Sequence, residues 1–490
     1  MKRIIRPFVV LLSVVLLAAS CLDGDDYSDV VYYGDTAITS FSLGTLKRTM
    51  VTKASDGITD SSYVVDVDCS SYDFYIDQFK KEIYNPDSLP AGTDAAHVIC
   101  NVASKSSGIV IIAYKDSEGK DSLAFYSSSD SIDFTEPREF RVYANDGSAY
   151  RAYTVKVNVH NEYPDSINWR DMGDCSEFTS LSGMKAVVLN GRLLLFGMQT
   201  TPPGSNPGEA VDNVKMSVYS TSSGGNLVWD KLETNVALDA EPYKNNVVVK
   251  GDYVYSLSNG KVVRSTDGAT WETMGTTAIK QLIAAGRQSL YAIATDGRVV
   301  KSEDDGATWT EDNVVGDVSQ MPAENLSYGS LALATDKNAE RIMIAGNPDS
   351  GNAEDSVAVV WGKIEEYSDG SRQHSWTNFS EDNGYRLPRL SDLCMVVYGG
   401  NLVALGGRGL GTSNAEAFSN FYVSEDSGIT WHTDSELYLP EGFTNGGNDV
   451  FTMTVDADNY LWIICGGTGK VWRGRLNKLG WEDAQTSFTE

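Results

Sequence analysis

A strand–turn–strand–turn–tryptophan pattern returns along the last two thirds of the chain, and it limits the fold more than any composition figure does. Residues 253–274 read YVYSLSNGKVVRSTDGATWETM, and residues 290–312 read LYAIATDGRVVKSEDDGATWTED. The stretch 460–474 repeats the first half, with Trp481 in the place of the closing tryptophan, and 421–434 repeats the second half. NLVALGG at 401–407 and GRLLLFG at 191–197 match the second strand and its terminal glycine. Sets of this kind begin near 184, 247, 284, 330, 393 and 451. Strand-rich repeats of this blade size, roughly 40–60 residues apart, indicate the blades of a β-propeller. Six blades is the preferred count. Seven is the alternative, because Trp169, Trp229, Trp271, Trp309, Trp376, Trp431 and Trp481 all look like outer-strand tryptophans. WRDMG at 169 mirrors WETMG at 271, so the chain is expected to begin this domain on an outer strand. That strand either closes the ring or belongs to an eroded seventh blade.

Within the repeat, S-x-D-x-G-x-T-W occurs in full at Ser302, Asp304, Gly306 and Trp309, and again at Ser424, Asp426, Gly428 and Trp431. A copy one residue short carries Ser265, Asp267, Gly268 and Trp271. This motif resembles the Asp-box, or BNR repeat, of sialidases and other propellers. The expected role of these residues is structural. The aspartate accepts backbone N–H bonds in a tight turn, pairing buried amides. The glycine takes a backbone conformation closed to larger residues, and the tryptophan buries its ring between sheets. The resemblance places each box between third and fourth strands, on the face away from a sialidase's catalytic centre.

No catalytic residue is assigned. A sialidase carries its first arginine in a Y/F-R-I-P motif ahead of the first box. Here Tyr385-Arg386-Leu387-Pro388 follows two boxes and is read as a loop leading into the next inner strand. The stretch 393–409 also resembles a kelch blade. A ligand is expected on the opposite face, where the loops joining second and third strands open. Met198–Lys215, Asn347–Asp355 and Arg408–Ala417 are unusually long, and the link Tyr438–Asp449 shares their face. Long loops on a rigid scaffold are the usual seat of recognition.

The first part of the chain also reads as all-β, over residues 36–160. Strands are expected at Ser62–Val67, Ala96–Val102, Gly108–Tyr114 and Ser122–Tyr126. A final hairpin runs from Glu139 to His160: Phe140 and Val142 alternate with polar residues, as do Tyr153, Val155, Val157 and Val159, and Asp146-Gly147 makes the turn. This hairpin resembles the end of the Ig-like or cadherin-like β-sandwiches of bacterial surface lipoproteins, which serve as spacers. Residues 161–168 are the expected linker, and 169–490 the propeller.

Ahead of both domains, Lys2, Arg3 and Arg6 precede an apolar run from Phe8 to Ala18. That run is about a dozen residues, against the roughly twenty a membrane span needs, so residues 1–20 read as a signal peptide. Leu17-Ala18-Ala19-Ser20-Cys21 resembles a bacterial lipobox, which implies lipidation of Cys21. Asp23, Asp25 and Asp26 follow directly, and residues 21–35 form an acidic tether resembling the export signal of Bacteroides-type surface lipoproteins. Localisation is therefore expected at the outer membrane, exposed at the cell surface.

The chain has 39 Lys+Arg against 67 Asp+Glu, a net charge of −28. That excess disfavours nucleic acid and anionic headgroups as partners. The membrane is contacted through the lipid alone, and the ligand is a glycan or a protein. Beyond Cys21, the cysteines Cys69, Cys100, Cys175, Cys394 and Cys465 are odd in number and scattered, which is no disulfide framework. His97, His160, His374 and His432 lack ligand spacing, so no metal site and no cofactor is expected. The leading function is a non-catalytic surface binding or scaffolding protein, with a glycan link resting on fold analogy. The alternative is a glycoside hydrolase or lyase with carboxylates on the loop-rich face.

Overall fold

The computed structural model describes residues 35–53, 60–115, 120–201, 213–222, 227–240, 246–348, 355–367, 374–379, 384–434 and 436–481. The leader, Cys21 and nearly all of the acidic tether lie outside the described residues. No helix among the described residues is long and apolar enough to cross a membrane. The chain divides into two compact units, which part between Tyr163 and Pro164.

In the first unit, a six-stranded sheet runs in the order Tyr75–Asp77, Glu82–Tyr84, Tyr150–Lys156, Arg138–Tyr143, Val110–Lys115 and Asp121–Phe125. All neighbours are antiparallel except Glu82–Tyr84 with Tyr150–Lys156. Ile38–Leu43 pairs with Cys100–Ser104, and Thr45–Lys53 with Asp60–Asp68. The expected alternation decides the core: Phe140, Val142, Tyr153 and Val155 are fully buried and meet Phe41, Leu46, Ile83 and Ile112. At the hairpin's turn Gly147 has φ 71° and Asp146 accepts the Ser148 amide at 2.9 Å. The strand expected from Ala96 is formed only from Cys100, because Val98 is drawn instead into an isolated bridge with Ile132. Cys69 and Cys100 are buried free thiols.

The second unit is a β-propeller. Among the described residues its strands form six four-stranded antiparallel sets. Their inner strands are Gly183–Leu189, Val248–Lys250, the second half of Glu272–Ala285, Glu324–Leu333, Cys394–Tyr398 and Phe451–Val455. The long strand Glu272–Ala285 serves twice: its start pairs with Lys261–Ser265 as the outer strand of the second set, and its end pairs with Leu290–Ala294 in the third. Each inner strand touches the next, and the last returns to the first, where the Ala186 amide donates to Thr452 Oγ1 at 3.0 Å. The chain does begin this unit on an outer strand. Ile167–Asp174 pairs with Lys470–Leu476 and supplies the fourth strand of the sixth set, so the two ends of the unit close one sheet.

Six apolar clusters lie between successive sets. Trp169, Trp229, Trp271, Trp309, Trp376 and Trp431 each pack from the outer edge of one set into the cluster shared with the set before it. Trp481, read as the last of the series, instead follows a short helical turn, Asn477–Gly480, past the final strand. Its place is taken by Trp169, whose indole N–H donates to the Tyr438 carbonyl at 2.7 Å.

Candidate functional site

The three serine–aspartate–glycine–tryptophan turns join third to fourth strands in the second, third and fifth sets. Their hydrogen bonding differs from the expectation in one respect. The buried amide of each turn belongs to the glycine and is accepted by the serine: Gly268 to Ser265 Oγ at 2.9 Å, Gly306 to Ser302 at 2.8 Å, Gly428 to Ser424 at 2.7 Å. Those serines are 2%, 1% and 0% exposed. The aspartates sit nearer solvent and fasten the outer loop. Asp304 accepts Thr308 N at 2.8 Å and its hydroxyl at 2.6 Å; Asp426 does the same for Thr430. Bonds from Thr308 hold the Asp304 carboxyl below its ordinary value.

Each indole N–H closes its turn on the glycine carbonyl, at 2.9–3.2 Å. The residue missing from the short copy is the one that stands left-handed ahead of the glycine in the full copies, Asp305 and Ser427, both at φ 62°. Gly306, at φ 93°, could not carry a Cβ, which would meet Val262 of the preceding set at 2.9 Å. These residues hold the sets together.

In an antiparallel set the first and third turns share one end, and the second turn shares the other end with the link to the next set. The opposite end from the boxes therefore carries the long loops. Parts of the loops at 198–215 and 347–355 lie outside the described residues. The third, between Asn401–Leu405 and Tyr422–Ser424, is described, as is the link from the fifth set to the sixth from residue 436 on. Between these two segments lies a cleft of ≈ 380 Å³, lined by Arg408, Phe418, Phe443, Asn445 and Asp449 among others.

Chain geometry fixes the cleft. Gly407 packs against Asp449 so closely that a Cβ would lie 2.6 Å from its Cβ and Cγ. Asp449 accepts Arg408 Nε at 2.6 Å and Ser391 Oγ at 2.8 Å. Asn445, 4% exposed, ties its own loop by donating to the Asn448 and Val450 carbonyls at 2.7 and 2.9 Å, and it accepts the Gly467 amide at 2.8 Å. Phe418 sits at φ 53°, a left-handed conformation that is a true outlier for a bulky residue. Its ring lies 5.5 Å from that of Phe443 and 5.0 Å from that of Phe451. The sequence marked both segments as loops. It did not single out Phe418, Ser391 or the Arg408–Asp449 pair, which come from separate stretches and share no local motif.

Two other features lie outside the lining of this cleft. Tyr385–Pro388 packs on a box: the Tyr385 carbonyl accepts the Trp431 amide at 3.0 Å, Leu387 is buried, and Pro388 bridges Val357. A carboxylate pair, Glu340 and Glu365, stands in register across the second and third strands of the fourth set, at the box end. Both are buried. They cap the turn at 286–289 of the third set, Glu340 accepting the Arg287 amide at 2.5 Å and Glu365 the Gln288 amide at 3.0 Å and the Tyr291 hydroxyl at 2.9 Å. Burial raises the Glu365 pKa. Among the described residues no group of His, Cys, Asp and Glu is placed to hold a metal ion.

Residues 163–484 match the family model of the DUF6242 β-propeller domain, and residues 41–157 that of the DUF6242 N-terminal domain, a domain of unknown function. No curated protein matches the chain. Among solved structures, YCF48 from Cyanidioschyzon merolae is 13% identical over 63% of this chain and 98% of its own, with a TM-score of 0.31. A streptogramin B lyase is 12% identical over 64% and 100%, at 0.33. The GH93 α-L-arabinofuranosidase of Fusarium graminearum, solved with arabinobiose, is 9% identical over 76% and 93%, at 0.27.

Proposed function

This chain belongs to the DUF6242 family, with the N-terminal and β-propeller domains on one polypeptide, and from that premise we propose that it is a non-catalytic binding protein displayed at the cell surface. In this reading Cys21 carries the lipid anchor, the first unit is an Ig-like spacer, the Asp-boxes stabilise the blades, and the loop end of the propeller holds a glycan or protein ligand. The observation that carries the binding role is the cleft between the 406–421 loop and the 436–450 link, which is lined by two aromatic rings and by the bonded Arg408–Asp449 pair. Most glycoside hydrolases use two acidic groups flanking the substrate, about 5 Å apart in retaining enzymes. The cleft wall contributes Asp449, already bonded to Arg408 and Ser391, while the Glu340–Glu365 pair is buried at the other end.

The test uses the full mature chain on a broad glycan array and in cross-linking capture of surface proteins, beside Ala417→Trp. Ala417 is exposed at the cleft wall, so a tryptophan there fills the cleft without disturbing the core. Wild type should retain a ligand that Ala417→Trp loses, with unfolding unchanged. Undiminished binding by Ala417→Trp would sink the site. Turnover of a glycoside that disappears on substituting one carboxylate would sink the non-catalytic reading.

A further inference from the structure

The walls of the loop-face cleft differ in chemistry, and the difference selects a class of ligand; this step rests on the cleft being the binding site. One wall is apolar. Phe418 and Phe443 are both half-exposed there, and Phe418 holds a backbone conformation that a bulky residue adopts only where its surroundings impose it. Its amide donates to the Gly406 carbonyl at 3.0 Å, and its ring stands edge-on against the buried Phe451.

A second part of the lining is ionic and asymmetric. Both bonds that Asp449 accepts fall on Oδ2, from Arg408 Nε and Ser391 Oγ, and Oδ1 carries no hydrogen bond among the described residues. The Asp449 side chain is 15% exposed and that of Arg408, which also lines the cleft, 65%, so the guanidinium has N–H groups open to a ligand. The wall thus presents one acceptor and a set of donors side by side.

An alcohol is both donor and acceptor and can use both groups together. A carboxylate or phosphate ligand would meet Arg408 but face Asp449, within a chain of net charge −28. An ammonium ligand would meet Asp449 but face Arg408. Adjacent hydroxyls on a ring with an apolar C–H face satisfy both walls. We propose that the cleft binds a neutral pyranose, with neighbouring hydroxyls bonded to Asp449 Oδ1 and the Arg408 guanidinium and the C–H face laid on Phe418 and Phe443. At ≈ 380 Å³ the cleft lies at the low end of small-molecule sites, about 300–1,000 Å³, and holds one or two sugar rings.

The experiment titrates the full mature chain with methyl glucoside, galactoside and mannoside, and with glucuronate and glucosamine as charged counterparts, by calorimetry and ligand-observed NMR. At least one neutral glycoside should bind, and the charged counterparts at least tenfold more weakly. Arg408→Gln, at an exposed position, should weaken that binding at least tenfold with unfolding unchanged. Phe443→Ala should do the same, and if it fails to fold, Arg408→Gln decides. Failure of all three glycosides to bind at millimolar concentration, or tighter binding of glucuronate, overturns the ligand class. If some other ligand is then still lost in Ala417→Trp, the cleft remains the binding site and only the pyranose is wrong. Glycoside binding that survives both Arg408→Gln and Ala417→Trp overturns the two together.

Discussion

Ser424→Ala removes a single oxygen from the fifth set, and the structure gives the size of the effect. Ser424 is 0% exposed, and its Oγ accepts the Gly428 amide at 2.7 Å while donating to Asp426 Oδ1 at 2.9 Å. Gly428 is itself buried, at φ 91°, with Met343 and Val360 of the preceding set close against it, so water has no room to replace the hydroxyl. An orphaned buried donor costs about 1–3 kcal/mol. Asp426→Ala removes more hydrogen bonds but should cost less. Three of its four partners, the Ile429 and Thr430 amides and the Thr430 hydroxyl, belong to residues that are exposed or half-exposed, and the fourth, the buried Ser424 hydroxyl, can rotate while its oxygen keeps the Gly428 amide. Water can take over there, leaving a net loss of about 0.5–1.5 kcal/mol. All ten tryptophans lie in the propeller, so tryptophan fluorescence in urea follows that unit alone, and Trp431 at 4% exposure reports the set in question. Ser424→Ala should lower the midpoint more than Asp426→Ala, with the slope unchanged. An Asp426→Ala variant at least as unstable as Ser424→Ala would refute the argument that the serine, and not the aspartate, holds the buried amide.

Three further outcomes are expected. Lys363 and Asp312 form an ion pair at 2.6 Å with both side chains 6% exposed, and Trp376 Nε1 donates to the same carboxylate; Asp312→Ala should therefore cost about 3–5 kcal/mol by leaving a buried charge unpaired, and a midpoint within error of wild type would contradict this. Burial raises the folded pKa of Glu365, so the folded state binds more protons than the unfolded chain and stability falls as pH rises from the ordinary glutamate range through the raised value; Glu365→Gln should flatten that slope in unfolding measured from pH 4 upward, and an unchanged slope would argue against it. Cys21→Ser should abolish uptake of a tagged fatty acid and release the protein or leave its precursor, while alanine at Asp23, Asp25 and Asp26 should keep the label but reduce shaving of intact cells by protease; a wild type that takes up no label removes the anchor.

The propeller was legible because its information is local. A turn whose serine, aspartate, glycine and tryptophan lie within eight residues repeats wherever the backbone repeats, and period-two alternation marks which face of a strand is buried. The hairpin at 139–160 was readable for the same reason. Local signals do not say which strand pairs with which. The parallel pairing of Glu82–Tyr84 with Tyr150–Lys156 joins segments some seventy residues apart, and the place of Ile167–Asp174 in the last sheet depends on a partner near the other end of the chain. Trp169 and Trp481 carry equivalent local patterns, and only ring closure decides which one packs into a cluster. Burial was likewise a tertiary matter: the neighbouring set covers the serine and glycine of each box and leaves the aspartate nearer water. The loop segments could be chosen from their length and position between strands. The cleft itself unites Ser391, Arg408, Phe418 and Asp449, whose bonds bridge up to 58 residues, and nothing in the chain around any one of them signals the others. Only the packing of the fifth set against the sixth brings the arginine–aspartate pair and the two rings to one cleft.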